Sequence, residues 1–478
     1  MKPITSPALL SAALVAALAG CAGAEHYRKQ VAPIQVPAQY GRGDAALNAP
    51  AQTLQTPVTY PAREVAADPW WQGFGDERLN RMVEQALKVN ADLASAGFAL
   101  RQARLEARLA VNDMLPQPSA SVDASASRQT DRHDNFDRSY GSSASLSWEV
   151  DLWGRLRAAH DVKVWEAKAS AEDLQNTALA LVGEVCQDYW TLAYYNQSIA
   201  AGEQNIAELA KTLELVKVQY AAGDVAKLEL REAEQNLESE RAAQSVLLQE
   251  RVETRNAITV LLDGRPWPQA DEPQNLDAAQ SLQVAEGLPA QLLGRRPDLR
   301  AAELRLRESL ANIKATARSY YPALTLTGAI DGSGTALASV LKNPVATLGA
   351  SLSLPFLNLG EMKFNTEIAG AEYLQAASDF RTTLYTALQD VDNALSARTQ
   401  YQAQVEAGQR SYAAAKEIEH TYEVRYRSGY SALRVWLDAR QTLRSSELSL
   451  AQARRDQLDN DVTLMLALGG SATADPSG

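Results

Sequence analysis

Two periods alternate along this chain, and each occurs twice. Between Gln117 and Ser127 the even positions are Pro118, Ala120, Val122, Ala124 and Ala126, and the odd ones are Gln117, Ser119, Ser121, Asp123, Ser125 and Ser127. Over 143–152, Ala144, Leu146, Trp148, Val150 and Leu152 alternate with Ser143, Ser145, Ser147, Glu149 and Asp151. Later, Leu324, Leu326 and Ile330 alternate with Thr325, Thr327 and Asp331 over 323–331. Over 347–356, Leu348, Ala350, Leu352, Leu354 and Phe356 alternate with Thr347, Gly349, Ser351 and Ser353. A two-residue period predicts strands with one wet and one apolar face. The stretches 129–141 and 332–344 between them are polar or Gly-containing and predict loops. Gly332-Ser333-Gly334 is expected to be turn punctuation, since no Lys-Ser/Thr pair follows to make a phosphate cradle.

After each strand pair the period changes. Residues 154–222 contain no proline and few glycines, and predict one helix of roughly 100 Å at 1.5 Å per residue. Leu192, Ile199, Ile206, Leu213 and Tyr220 recur every seventh position with Leu209 and Val216 between them, a coiled-coil seam. A second long helix is predicted over 361–428, with a weaker seam of Val405, Tyr412, Tyr422 and Tyr426. Each should end at a glycine able to take the left-handed conformation, Gly223 and Gly429, before return helices over 226–262 and 432–468. The returns are about half as long; Asp76 to Met114 and Asp298 to Tyr320 supply the remaining helix and lead into the strands. Strands therefore lie at one end and glycine turns at the other.

The two series are copies. Asp92-Leu93 recurs as Asp298-Leu299, Leu115-Pro116 as Tyr321-Pro322, and Gly154 as Gly360. Tyr220, Gly223 and Ala233 match Tyr426, Gly429 and Ala439, and Leu262 and Gly264 match Leu468 and Gly470. Every pair is 206 positions apart, which indicates one unit built twice, 70–264 and 297–470, around a linker at 265–296. Residues 21–69, rich in Pro, Ala and Gln, predict an extended tether, and 471–478 a disordered tail.

Strands of about ten residues fit either a soluble half-buried sheet or a tilted crossing of a bilayer. Four cannot close a barrel alone, and an open edge in hydrocarbon leaves backbone groups unpaired. If these strands are membranous, several chains must share one barrel.

Composition narrows the classes. The formal charge is −12, and loss of Lys2 with a leader makes it −13, which argues against a nucleic-acid partner. Residues 1–20 carry Lys2 and an apolar run from Pro7 to Leu18, the form of a cleaved signal peptide. Leu18-Ala19-Gly20-Cys21 resembles the bacterial lipobox, which implies a covalent lipid such as palmitate on Cys21; an ordinary signal with a coincidental cysteine is the alternative. Ala22 after it, rather than Asp, points to sorting to the outer membrane. Cys186, the only other cysteine, is expected to be a small buried hydrophobe. His26, His133, His160 and His420 show no metal-ligand spacing, and no local nucleophile or nucleotide loop occurs, so neither a metal, another cofactor nor an enzyme activity is expected.

Trp70-Trp71 with Phe74, Asp76 and Leu79, then Asn90-Ala91-Asp92-Leu93, the run Trp148 to Arg155, and Arg295 to Arg300 with Ala302-Glu303 resemble the TolC-like outer-membrane efflux proteins. The likeness spans Pro69 to Gly470 and is specific to the lipoprotein branch serving resistance-nodulation-division pumps. It implies a mainly α fold with membrane β: a long coiled-coil α-helical barrel in the periplasm plus a transmembrane β-barrel, completed by trimerisation with four strands per chain. The partners it implies are two sister copies, a periplasmic adaptor (membrane fusion) protein, an inner-membrane transporter and outer-membrane lipid. In that family the periplasmic end is closed by the inner helix pair. Similarity places Asp438 in an acidic ring facing the lumen, and Tyr426 and Arg427 among the inter-helix bonds that hold the closed state. Gly223 would mark an adaptor-facing tip, and Trp436 stands where an aliphatic residue is expected. The implied role is a passive exit duct for small toxic compounds; a type I protein-secretion duct and a static envelope lipoprotein remain the alternatives.

Overall fold

The computed structural model describes residues 35–37, 51–53, 69–128, 136–277, 280, 282 and 294–470. The expected signal peptide, Cys21 as the expected lipid site, His26, His133, most of the tether and the tail lie outside the described residues. Two short strands, β1 (Gln35–Pro37) and β2 (Ala51–Thr53), pair antiparallel within the tether.

The first copy begins with Trp70–Phe74 in a 3₁₀ turn, then α1 (Glu77–Val89) and α2 (Ala91–Asn112). The single helix expected here is broken at Asn90, whose backbone is extended and whose side chain caps Leu93 N at 2.9 Å. β3 (Gln117–Ser127) and β4 (Asp137–Val150) follow, then α3 (Arg155–Ala222) and α4 (Lys227–Leu261). The second copy has α5 (Pro297–Ser319), β5 (Ala323–Gly334), β6 (Val345–Ser353), α6 (Leu359–Arg427) and α7 (Leu433–Ala467). Among the described residues no helix is long and apolar enough to cross a membrane.

The four longer strands form one antiparallel sheet in the order β3-β4-β5-β6. Pro118 pairs with Leu146, Leu146 with Gly328, and Gly328 with Leu348, so even positions always face even positions. This register gathers the apolar halves of all four strands on one face and Ser119, Ser145, Thr327 and Ser351 on the other. Among the described residues β3 and β6 have no further strand beside them.

The strand limits depart from the alternation at five ends, two of them by two residues each: β4 closes at Val150 and β6 opens at Val345. β4 starts at Asp137, inside the loop expected over 129–141, and pairs with β3 out to Ser127. Gly332 to Gly334 is not turn punctuation but the end of β5, paired with Ser142 to Tyr140. Glycine is required there, since a Cβ on Gly332 would lie 2.2 Å from Val340 O. β6 stops at Ser353 rather than 356, because Pro355 has no N–H to donate and opens a 3₁₀ turn.

α3 is the spine, with α1, α2, α4, α5 and α7 packed along it. Its seam is buried at Leu192, Ile199, Leu209, Leu213 and Val216, whereas Tyr220 is exposed. The largest core lies midway, where Trp70, Phe74 and Met82 pack on Tyr189 and Trp190. Here the shorter helices meet end to end, twice over. Asn90 at the start of α2 donates to Leu261 O at the end of α4, at 3.2 Å. Arg296 at the start of α5 donates to Ala467 O at the end of α7, at 3.4 Å. Both joints are the same joint, since Arg296 and Ala467 lie 206 positions beyond Asn90 and Leu261. Arg296 also pairs with Asp298 and Asp390, so it is a helix-end partner rather than part of a solvated charged face.

Candidate functional site

The tips are set by two glycines with positive φ. Gly223 (φ +84°) follows α3 and lets Asp224 N reach back to Gln219 O at 2.9 Å. Gly429 (φ +77°) follows α6 in the same way, with Tyr430 N on Arg425 O at 2.8 Å. A Cβ would meet nothing at either position, so backbone conformation alone requires glycine.

Above the turns a small core joins both copies. Leu209, Leu213 and Val216 of α3 and Leu237 of α4 pack against Leu433, Trp436 and Leu437 of α7, with Tyr422 and Tyr426 of α6 alongside. Trp436 is buried rather than disruptive. Its ring stacks on Tyr426, centroids 5.3 Å apart at 25°, and its Nε1 donates to Glu419 Oε1 at 2.9 Å.

The three expected gate residues behave differently. The Tyr426 hydroxyl donates to Gln219 Oε1 at 2.8 Å, a bond between the long helices of the two copies. Burial raises the Tyr426 phenol above its usual range and keeps it a donor. Arg427 pairs with Glu423 one turn earlier on its own helix, at 2.7 Å, and among the described residues it makes no inter-helix bond. Asp438 is 74% exposed and lies 3.9 Å from Arg434, also on its own helix. Such an exposed i,i+4 pair is weak.

Sequence reasoning missed two arginines of α7. Arg440 donates from Nε to Asn205 Oδ1 of α3 at 2.9 Å, pairs with Glu208, and lies over the Trp436 ring. Arg444 donates to Glu240 Oε1 of α4 at 3.1 Å, to Ser198 O of α3 at 3.0 Å and to Glu447 at 3.3 Å. The signal was present: Leu433, Trp436, Leu437, Arg440 and Arg444 follow one helical stripe, so the arginines occupy apolar-face positions.

Nearer the middle, Asp188 of α3 and Asp459 of α7 each keep one buried carboxylate oxygen without a donor. Burial, with Glu184 nearby, pushes Asp188 up to about 6. Burial raises Asp459 to about 7, Asp456 and Asp188 adding repulsion against the opposing pull of Arg455. Cys186 is fully buried in the same region and its thiol is pushed well up by burial, the environment of an inert core residue. Among the described residues no three His, Cys, Asp or Glu side chains gather where they could hold a metal.

The family described as "Outer membrane efflux protein" matches this chain twice, over residues 82–264 and 288–470. The second match is displaced from the first by 206 positions at both ends, the period found in the sequence. The chain is 30% identical over 441 residues to a pyoverdine export outer membrane protein of Pseudomonas putida, covering 89% of this chain and 93% of that one. It is 29% identical over 406 residues to toxin and drug export protein A of Aggregatibacter actinomycetemcomitans, covering 84% and 88%. Among solved structures, the open state of the MtrE outer membrane channel of Neisseria gonorrhoeae superposes with a TM-score of 0.76 at 26% identity, covering 91% of this chain and 98% of that one.

Proposed function

This chain belongs to the outer membrane efflux protein family, and from that premise we propose that it forms, as a homotrimer, the exit duct of a tripartite pump. The observation that carries the reading is the sheet. It has four strands, two bare edges and one apolar face bearing exposed Leu146, Ile330 and Leu348. In the outer membrane those edges need partners and that face needs lipid. Three copies supply the edge partners, closing twelve strands into one barrel whose apolar face meets the lipid. The helices support the same assembly. α6 buries few side chains within the chain and leaves Phe364, Ile368, Leu374 and Tyr385 exposed, a face suited to a sister copy.

The duct is passive. It takes small toxic compounds or drugs from an inner-membrane transporter of the resistance-nodulation-division type, through a periplasmic adaptor seated on the tips near Gly223 and Gly429. Tyr426, Arg427 and Asp438 act at the periplasmic gate, and lipid on Cys21 adds an anchor. A second reading, export of a protein toxin, draws on the Aggregatibacter relative, whose name joins toxin with drug export.

Planar-bilayer recording of the purified protein tests the duct. Wild type should conduct rarely, and Asp438→Ala more often; absence of conductance in both would favour a static envelope lipoprotein. Antibiotic susceptibility and the secreted proteins of a deletion strain separate the two cargo readings. Mass spectrometry of the mature N-terminus should find acyl chains on Cys21, and finding an unmodified residue would end the anchor proposal.

A further inference from the structure

Charge is sorted by face on the four-stranded sheet. Every acid within the described strands stands at an odd position: Asp123, Asp137, Glu149 and Asp331. No even position carries an acid, and the one charged even position is Arg138 of β4. The register therefore puts the acids on the polar face with Ser119, Ser145 and Thr327, and Arg138 on the apolar face with Leu146 and Leu348. Arg128, one residue beyond β3, continues the even column of Ala124 and Ala126. Its guanidinium lies 5.3 Å from the centroid of the Phe136 ring, which stands one residue before β4 and is 60% exposed. Ala126 pairs with Arg138, so Arg128 and Arg138 are diagonal neighbours on one face, roughly 7–8 Å apart along the backbone. Both arginines are exposed, and among the described residues neither pairs with a carboxylate.

The even column of β4 measures how deep these arginines sit. Trp148, at the helical end, has an apolar ring on the lipid side and a polar Nε1 that donates to Met114 O at 3.0 Å. Arg138 lies ten residues away, at the end farthest from the helices. At about 3.4 Å per residue and a tilt of about 40°, that separation spans about 25 Å, the height of the apolar band of an outer-membrane barrel. With the helices in the periplasm, Arg128 and Arg138 leave the hydrocarbon at the headgroup level of the outer leaflet. Two cations this close repel each other unless an anion joins them. We propose that they hold the phosphate groups of the phosphorylated glycolipid of the outer leaflet, each guanidinium offering paired N–H donors to phosphate oxygens. The Phe136 ring keeps Arg128 on the lipid side of its strand. The proposal rests on the reading that these strands close into a membrane barrel.

Lipid titration of the full-length trimer in detergent tests this. The probes are fluorescently labelled lipid A, the same lipid stripped of its phosphates, and labelled phosphatidylglycerol. Wild type should bind lipid A about tenfold more tightly than the stripped lipid, and more tightly than phosphatidylglycerol. Arg128→Gln combined with Arg138→Gln should weaken lipid A by about tenfold and leave the stripped lipid unaffected, the scale of basic side chains lost from an anionic surface. Arg128→Lys with Arg138→Lys should recover part of that loss, since lysine keeps the charge without the paired donors. Equal binding of phosphorylated and stripped lipid by wild type overturns the proposal, and that comparison stands even where a variant folds poorly. Undiminished lipid A binding by the folded glutamine variant overturns it as well. Equal affinity for phosphatidylglycerol would overturn the choice of glycolipid. A wild type that purifies only as a monomer would end the duct reading and this proposal with it, whereas a trimer without phosphate preference ends this proposal alone.

Discussion

Replacing Gly202 by alanine sets a gain in helix propensity against a larger loss in packing. Gly202 lies inside the 68-residue helix α3, where alanine should add about 1 kcal/mol of helix stability. The new Cβ, however, would sit 2.0 Å from Gln244 Oε1, well inside contact distance. Gln244 is buried, and its Nε2 donates to Ile199 O at 3.0 Å, so its amide cannot swing into water. Displacing it costs the net hydrogen bond, about 1 kcal/mol, and orphans a buried polar group for about 1–3 kcal/mol more. Arg444 Nη2, 3.0 Å from the same point, is pushed off Ser198 O as well. The balance is a loss of about 1–3 kcal/mol, against the propensity gain. Denaturant unfolding in detergent, followed by the helical circular-dichroism signal, measures it. Gln244→Ala removes the obstructing amide, so Gly202→Ala should cost much less in that background. A neutral or stabilising Gly202→Ala in the wild-type background would refute the close approach, and with it the packing of Arg444 on α3.

Two further outcomes follow from the same interfaces. Asp188 and Asp459 are raised in the folded chain, so between about pH 4 and 7 the folded state holds protons that the unfolded chain releases. Stability should therefore fall as pH rises through that window and level off above it; Asp459→Asn, compared by unfolding at pH 4.5 and 8, should gain on wild type much more at the higher value, and a constant difference would contradict the buried pair. Trp436→Leu loses the stack on Tyr426 and the bond to Glu419 and should cost about 2–3 kcal/mol, measured as in the Gly202 series. An unchanged midpoint would mean the ring is dispensable to the tip core.

The parity of serine and leucine was enough to predict the faces of the sheet, because a strand has only two and the register keeps even opposite even. Strand ends were less legible. Asp137 to Gly141 read as a polar loop because sequence period cannot show that β3 continues opposite them. The break between α1 and α2 was hidden for another reason: Asn90 is a common cap, but its decisive bond goes to Leu261, far along the chain. At the tips, Tyr426, Arg427 and Asp438 were found by resemblance, which named positions but not partners. Arg440 and Arg444 were passed over because charged residues are ordinarily assigned to solvent. Their burial depends on acceptors from three separate segments, and no local pattern contains those.

Duplication gave both return helices the same starting material, and two of the many positions at which they have since diverged bear on how they pack. Those 206 before Arg440 and Arg444 are Glu234 and Glu238 of α4. There the acids are satisfied at home, by Arg231 and Arg241 three residues away on their own helix. The second copy instead carries arginines that reach across to the first. One repeat thus keeps these charges at home while the other sends them across, so among the described residues a twofold-repetitive architecture is fastened in one direction.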